Sequence, residues 1–270
     1  MFSLFYTTYI DAKTGGWADK GRIAIKTTEP KLNDKQLLTL KLTYKFRYLT
    51  TDTLARRRDI THNSAYSALT ILTQRGYLGR KHTKAYKLQN KSARYHLTLK
   101  AVKLLSQHEY GLNKKVLLTR RYEDKKSQAF IDLQVSIMEA YLDIKEVLEE
   151  PEKLIILTAT EMAKLEDAGF IRPLPSLYIH YPKTGFQCFM DIIPDDQHLF
   201  LAKKRIRKYL EHCESGEWET NKYPNVYLVR RSASDRKRLK AYINEKMDDN
   251  YLDEDDINIQ VINTPVELLD

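Results

Sequence analysis

Helical periodicity begins near Asn33, a residue suited to cap a helix N-terminus, with Leu37, Leu38, Leu40 and Leu42 following. Thr50, Thr51 and Asp52 carry a capping signal ahead of a second short helix over 51–58. A third helix is predicted over 63–75. Its inner side is Ala65, Ala68, Leu69 and Leu72, and Gly76 stands at the position that stops a helix. The pattern then changes. Tyr77 to Arg80 reads as a strand, 81–91 as a polar, basic loop and Arg94 to Thr98 as a returning strand, and Leu99 to Leu105 opens another helix. Three helices, a strand, a loop, a strand and a helix make a winged helix-turn-helix arrangement over 33–105.

Before this segment, residues 1–32 carry aromatics and a Gly pair but no helical period, and read as an N-terminal arm or small hairpin. After it, 106–126 is basic and weakly periodic, a connector and domain boundary. A long amphipathic helix follows over 127–150, with Ile131, Val135, Met138, Leu142 and Val147 as its buried stripe and Pro151 beyond its end. Strand patterns then alternate with helical ones. Leu154 to Thr158, Leu177 to Tyr181, Phe186 to Ile193, Val226 to Val229 and Ile257 to Ile262 read as strands. Glu161 to Ala168, 198–213 and 234–246 read as helices. Pro182 to Gly185 supplies a hairpin turn. The fold class expected is an α+β winged helix-turn-helix followed by a small α/β domain over 127–270.

Charge divides the chain where the pattern does. Residues 1–126 hold 27 basic and 9 acidic side chains, whereas 127–270 hold 18 and 27. The first part should attract a polyanion and the second should not bind one over its general surface. Two cysteines, Cys188 and Cys213, are too few for a disulfide framework or a cysteine zinc site, so a reducing, cytoplasmic setting is expected. No run approaches a membrane span, and the start lacks the layout of a secretory signal.

These features make the third helix a candidate for reading DNA. Its outer face carries His62, Asn63, Tyr66, Ser67 and Thr70, all able to hydrogen-bond and none an Asp, Glu, Lys or Arg. Asn63 could pair with adenine, His62, Ser67 and Thr70 could bond to bases or phosphates, and Tyr66 could bond or pack on a sugar. Phosphate contacts are assigned to Arg56, Arg57 and Arg58 on the second helix, to Arg75, and to Arg80, Lys81, Lys84, Lys87 and Lys91 on the wing. A polar helix face or a basic run taken alone is equally well a solvated surface. The combination with the charge division favours double-stranded DNA as partner.

The run FRYLTTDTLARRRDITHNSAYSALTILTQRGYLGR, with ARYHLTLKAVKLL after the loop, resembles the winged helix of the replication-relaxation proteins of plasmids and other mobile elements. That pattern has a helix ending Leu-x-x-Leu-x-x-x-Gly, filled here by Leu69, Leu72 and Gly76. Its wing returns as Tyr-x-Leu-Thr, filled by Tyr95, Leu97 and Thr98. The later segments SQAFIDLQVSIMEAYLDI, PLPSLYI and FQCFMDII, and a helix with Lys204 and Tyr209, follow the family's order. The resemblance implies a second domain similar to the restriction-endonuclease core, whose chemistry needs a strand-starting acid and then acid-x-Lys on the next strand. Here the first acid is replaced at Pro175-Ser176, Asp191 fills the second position, and the Lys position is Ile193. Lys203 or Lys204, with Asp195 or Asp196, could rearrange such a site. Asp191 is otherwise a strand-end acid paired with a nearby base.

No phosphate loop or paired-histidine motif is present, and no metal or cofactor is expected. His180 and Cys188 read as packed residues. The basic cluster Lys203, Lys204, Arg205, Arg207 and Lys208 could meet DNA or the acidic 248–256 loop. The reading is a sequence-specific DNA-binding protein, an accessory factor in replication or transfer of a mobile element. It is expected to act as a homodimer and with other replication or mobilisation proteins. The rivals are a dimeric transcriptional repressor and a metal-dependent nuclease with a rearranged site.

Overall fold

A computed structural model describes residues 31–107, 112–148, 150, 153–165, 168–218 and 222–269. Residues 1–30 of the expected arm lie outside the described residues.

Helix α1 (Asp34–Phe46) starts at a reciprocal cap. The Asn33 side chain accepts from Gln36 N at 2.9 Å, and Asn33 N donates to Gln36 Oε1 at 3.1 Å. Thr50 and Thr53 make the same exchange ahead of α2 (Thr51–Arg58). Thr61 caps α3 (His62–Gln74), which begins one residue earlier than its pattern suggested. Gly76 follows with φ of +72°, a backbone conformation that costs a side-chain-bearing residue more than glycine.

Strands β1 (Leu78–Lys81) and β2 (Arg94–Leu97) form an antiparallel pair with Leu78 opposite Leu97. Leu49 adds a bridge, exchanging backbone bonds with Tyr95 at 2.9 and 2.8 Å. The expected loop between the strands contains a short helix instead, α4 (Lys84–Leu88). Its cause is Tyr86, which is 1% exposed and lies under the Arg94 guanidinium at 5.2 Å. One buried aromatic within a polar run pins that run down. Leu40, Leu54, Ala65, Leu69, Leu72, Leu78 and Leu97 are all buried beneath these elements.

Helix α5 (Leu99–Gln107) leads to the stretch read as a connector, which is in fact structured and packed. It holds α6 (Lys114–Thr119) and a 3₁₀ turn over Arg120–Lys125. Arg120 and Glu123 are 4% and 0% exposed. Arg47, at the end of α1, reaches Glu123 Oε1 with Nη2 at 2.8 Å and Nε at 2.9 Å, and Arg120 Nη1 stands 3.6 Å from the same oxygen. Arg120 also donates to Tyr44 O and Thr160 Oγ1, and burial pulls its pKa down to about 10. These charges lie in the stretch read as a basic connector, and only their mutual pairing permits burial.

Helix α7 (Gln128–Val147) buries Ile131, Val135, Met138 and Leu142 as expected, but Val147, at its last position, is 61% exposed. Beyond it lies one five-stranded sheet in the order β3–β4–β5–β6–β7. Its strands are β3 (Ile155–Thr158), β4 (Leu177–Tyr181), β5 (Phe186–Ile192), β6 (Asn225–Val229) and β7 (Ile259–Ile262). β3, β4 and β5 are antiparallel, whereas β5, β6 and β7 are parallel. The two parallel steps need crossovers, supplied by α9 (Leu199–Ser215) and α10 (Ala233–Asp249). Phe189, Ile206, Tyr209, Val226, Leu239 and Val261 share one buried cluster. The expected helix over 161–168 is displaced to α8 (Ala159–Met162), because Glu161 accepts from Thr158 N at 2.9 Å and starts the turn earlier. The protein is a mixed α and β fold. No helix among the described residues is long and apolar enough to cross a membrane.

Candidate nucleic-acid interface

The face of α3 opposite its core contact is open. Ala65, Leu69 and Leu72 are 0% exposed, while His62, Asn63, Tyr66 and Ser67 are exposed and Thr70 is half-buried. The five residues singled out for base contact therefore lie on one side of one helix. Asp52 on α2 lies beside them: its Oδ1 is 3.3 Å from His62 Nε2 and its Oδ2 accepts from Ser92 Oγ at 2.7 Å.

The nine basic residues separate into three groups. Arg57, Arg80, Lys84 and Lys87 are exposed, and Arg80 Nη2 lies 3.2 Å from His82 Nδ1. Arg58, Arg75 and Lys81 are half-buried and donate to uncharged acceptors, namely Thr39 Oγ1, Gln36 Oε1 and Lys126 O. Arg56 and Lys91 do something the sequence reading missed: they bind acids of α7. Arg56 contacts Asp143 and Glu146, and Lys91 Nζ contacts Asp132 Oδ2 at 2.9 Å. Their charge is already matched within the chain. The signal was present in the sequence, since Asp132, Glu139, Asp143 and Glu146 recur seven, four and three residues apart and so share a helix face.

The strand pair is set by a close approach. His96 is 7% exposed, and a Cβ built on Gly79 would lie 2.4 Å from His96 Cε1. Gly79 is thus required by space rather than by backbone angle. Burial lowers the His96 pKa, holding the ring neutral, and Nδ1 sits 3.1 Å from Leu97 O.

Asp191, the acid singled out from the sequence, occupies the end of β5. Its Oδ1 accepts from Ser176 N at 2.9 Å and Ser176 Oγ at 3.3 Å. Its Oδ2 accepts from Arg205 Nε at 2.5 Å and Tyr209 OH at 2.7 Å. Four donors, one of them a guanidinium, surround the carboxylate, which matches the reading of a strand-end acid paired with a nearby base. Ile193, at the lysine position, is buried. Asp195 pairs with Arg230 at 3.4 Å, and Asp196 is exposed. Among the described residues, no group of three or more His, Cys, Asp and Glu gathers as a metal site.

No family model matches the chain, and no curated protein matches it. Among solved structures, one similar chain is titled "Structure of TrmBL2, an archaeal chromatin protein, shows a novel mode of DNA binding". It is 14% identical in sequence, the alignment covers 86% of this chain and 77% of that one, and the TM-score is 0.21. A TM-score that low does not relate the two folds.

Several other residues singled out from sequence take part in packing. Cys188 is buried, and His180 is half-buried with its ring 6.4 Å from that of Tyr178. In the basic cluster on α9, Lys203 lies over the Tyr242 ring at 4.5 Å and Arg205 is committed to Asp191.

Proposed function

We propose that residues 33–107 form a winged helix-turn-helix that binds double-stranded DNA sequence-specifically. In this reading α3 is the recognition helix, and β1, α4 and β2 form the wing. The observation that carries it is the open, hydrogen-bonding face of α3, in a segment whose Arg57, Arg80, Lys84 and Lys87 are also exposed. A face that reads base edges wants donors and acceptors at fixed positions, while phosphate contacts want cations beside it. The excess of basic over acidic residues in 1–126 supports the same partner. The resemblance to the replication-relaxation proteins supports a role as an accessory factor in replication or transfer of a mobile element, acting as a homodimer. In this reading the sheet layer is similar to a restriction-endonuclease core used as a scaffold, because Asp191 is committed to Arg205 and Tyr209.

Selection of bound sequences from a random duplex pool tests the proposal. One enriched motif is expected, and Asn63→Ala should lose preference at one or more positions of it, each contact being worth roughly 1–3 kcal/mol of discrimination. An unenriched pool, or the same motif at the same stringency from Asn63→Ala, would count against α3 as the reading helix.

A further inference from the structure

Between α1, α7 and the sheet lies a cleft of about 690 Å³. Six cations line it: Lys45, Arg47, Arg120, Lys204, Arg205 and Lys208. Three carboxylates pair with them, Glu161 with Lys45, Glu123 with both Arg47 and Arg120, and Asp191 with Arg205. Three positive charges are left over. Two are Lys204 and Lys208, one turn apart on α9, and neither is in an ion pair among the described residues. Like charges at this spacing repel each other and weaken a helix when nothing lies between them. The third excess charge belongs to the Arg47 and Arg120 pair, which shares one carboxylate. Arg120 is 4% exposed, so its charge is poorly screened by water.

Part of the remaining lining is apolar, with Leu133, Ile137, Leu174 and Leu201 among its walls beside the polar Gln134, Thr158, Thr160, Ser176 and Gln197. A concave site with apolar walls and a few converging charges is the usual form of a small-molecule pocket, and this volume falls in the usual range of roughly 300–1,000 Å³. The excess charge selects an anion, and the apolar walls select a body attached to it. Guanidinium and ammonium groups together suit a phosphate, which accepts from both. We propose that this cleft binds a nucleoside phosphate, with the phosphate between Lys204, Lys208 and Arg120 and the base against the apolar wall. The inference is independent of the DNA reading, since none of these residues belongs to α2, α3 or the strand pair.

Titration calorimetry on the full chain with ATP, AMP, adenosine and inorganic phosphate tests it. ATP or AMP should bind at least about tenfold more tightly than adenosine or inorganic phosphate. The doubly substituted Lys204→Ala, Lys208→Ala chain should weaken that binding about tenfold or more with its melting temperature retained, because both lysines sit at the surface of α9. Lys183→Ala, on the turn between β4 and β5 away from the cleft, should bind as the parent does. The proposal is overturned if nucleotides bind no better than adenosine, if inorganic phosphate binds as tightly as they do, or if the double variant binds unchanged. It is equally overturned if a short single-stranded oligonucleotide binds through Lys204 and Lys208 while ATP and AMP do not, since the cleft would then be a nucleic-acid groove.

Discussion

The Arg56 guanidinium grips Glu146 with two parallel hydrogen bonds, Nε to Oε1 at 2.9 Å and Nη2 to Oε2 at 2.8 Å. Asp143 adds a third at 2.7 Å. The pair joins α2 to α7, and Lys91 and Arg94 join the strand pair to the same helix through Asp132. The bidentate contact holds the Glu146 carboxyl below its ordinary pKa. One acidic helix face thereby holds the basic helical segment in place while cancelling part of its charge.

Replacing Asp143 and Glu146 together by Ala should release Arg56 toward phosphate. The expected result is tighter DNA binding at low salt and a salt dependence steeper by about one unit of slope. The melting temperature should fall only slightly, because exposed ion pairs contribute roughly 0.2–1 kcal/mol each. Binding isotherms across a salt series check this, and unchanged isotherms would place Arg56 outside the DNA interface.

Lys84→Ala and Lys87→Ala should each weaken binding to every duplex alike and reduce the salt slope by about one. Both side chains are exposed on α4, so thermal stability should stay within roughly 0.5 kcal/mol of the parent. A motif-specific loss measured on matched and mismatched duplexes would reassign them to base contact.

Gly79→Ala should destabilise the strand pair by roughly 1–3 kcal/mol, because the new methyl meets the buried His96 ring. Adding His96→Ala should recover part of that loss by removing the ring. Denaturant unfolding of the four-member cycle measures the coupling. Additive losses would show that the cost of Gly79→Ala does not arise at the His96 ring.

Asp191→Ala should destabilise by about 3 kcal/mol, since it strands the Arg205 guanidinium, whose side chain is 12% exposed. Asp191→Asn should cost less, keeping the bonds from Ser176. Calorimetric melting distinguishes this positioning role from metal binding: Mg²⁺ or Mn²⁺ should leave the parent's melting temperature unchanged. A rise in the parent that Asp191→Ala abolishes would restore the nuclease reading.

Acidification should destabilise the protein before its carboxylates titrate. Burial lowers the pKa of both His96 and His212 below the ordinary histidine value of about 6.5. As pH falls through that value the unfolded chain takes up protons that the folded chain refuses. The stabilisation is therefore complete above about pH 7 and is lost progressively as pH falls from there toward the folded pKa values. Melting temperatures between about pH 7.5 and 5.5 should decline, and His96→Gln should flatten the decline. A decline as steep as the parent's in both His96→Gln and His212→Gln would exclude both rings as its source.

Local elements were legible because their causes are local. Asn33, Thr50 and Thr61 cap helices by accepting from the backbone three residues on, and Gly76 ends α3 through its own backbone freedom. The strand patterns of 177–181 and 186–192, with the turn between them, likewise lie within a few residues of each other. The outer face of α3 was readable for the same reason, since Ala65, Leu69 and Leu72 identify the buried side by spacing alone.

What the sequence by itself determined is thus most of the elements, their order and the inner and outer sides of α3, but not α4, α6 or the turn over 120–125. Tertiary structure decided which charges are spent inside the molecule. Arg56 and Lys91 looked equivalent to Lys84 and Lys87 along the chain, yet two carry acids of α7 and two remain open. Arg120 and Glu123 stand in a run that reads as a connector, and they are buried because Arg47, more than seventy residues away, completes their cluster. A charge has no periodic signature of its own. Its fate depends on the partner that folding brings within a few ångströms, and that distance is not written in the spacing of residues.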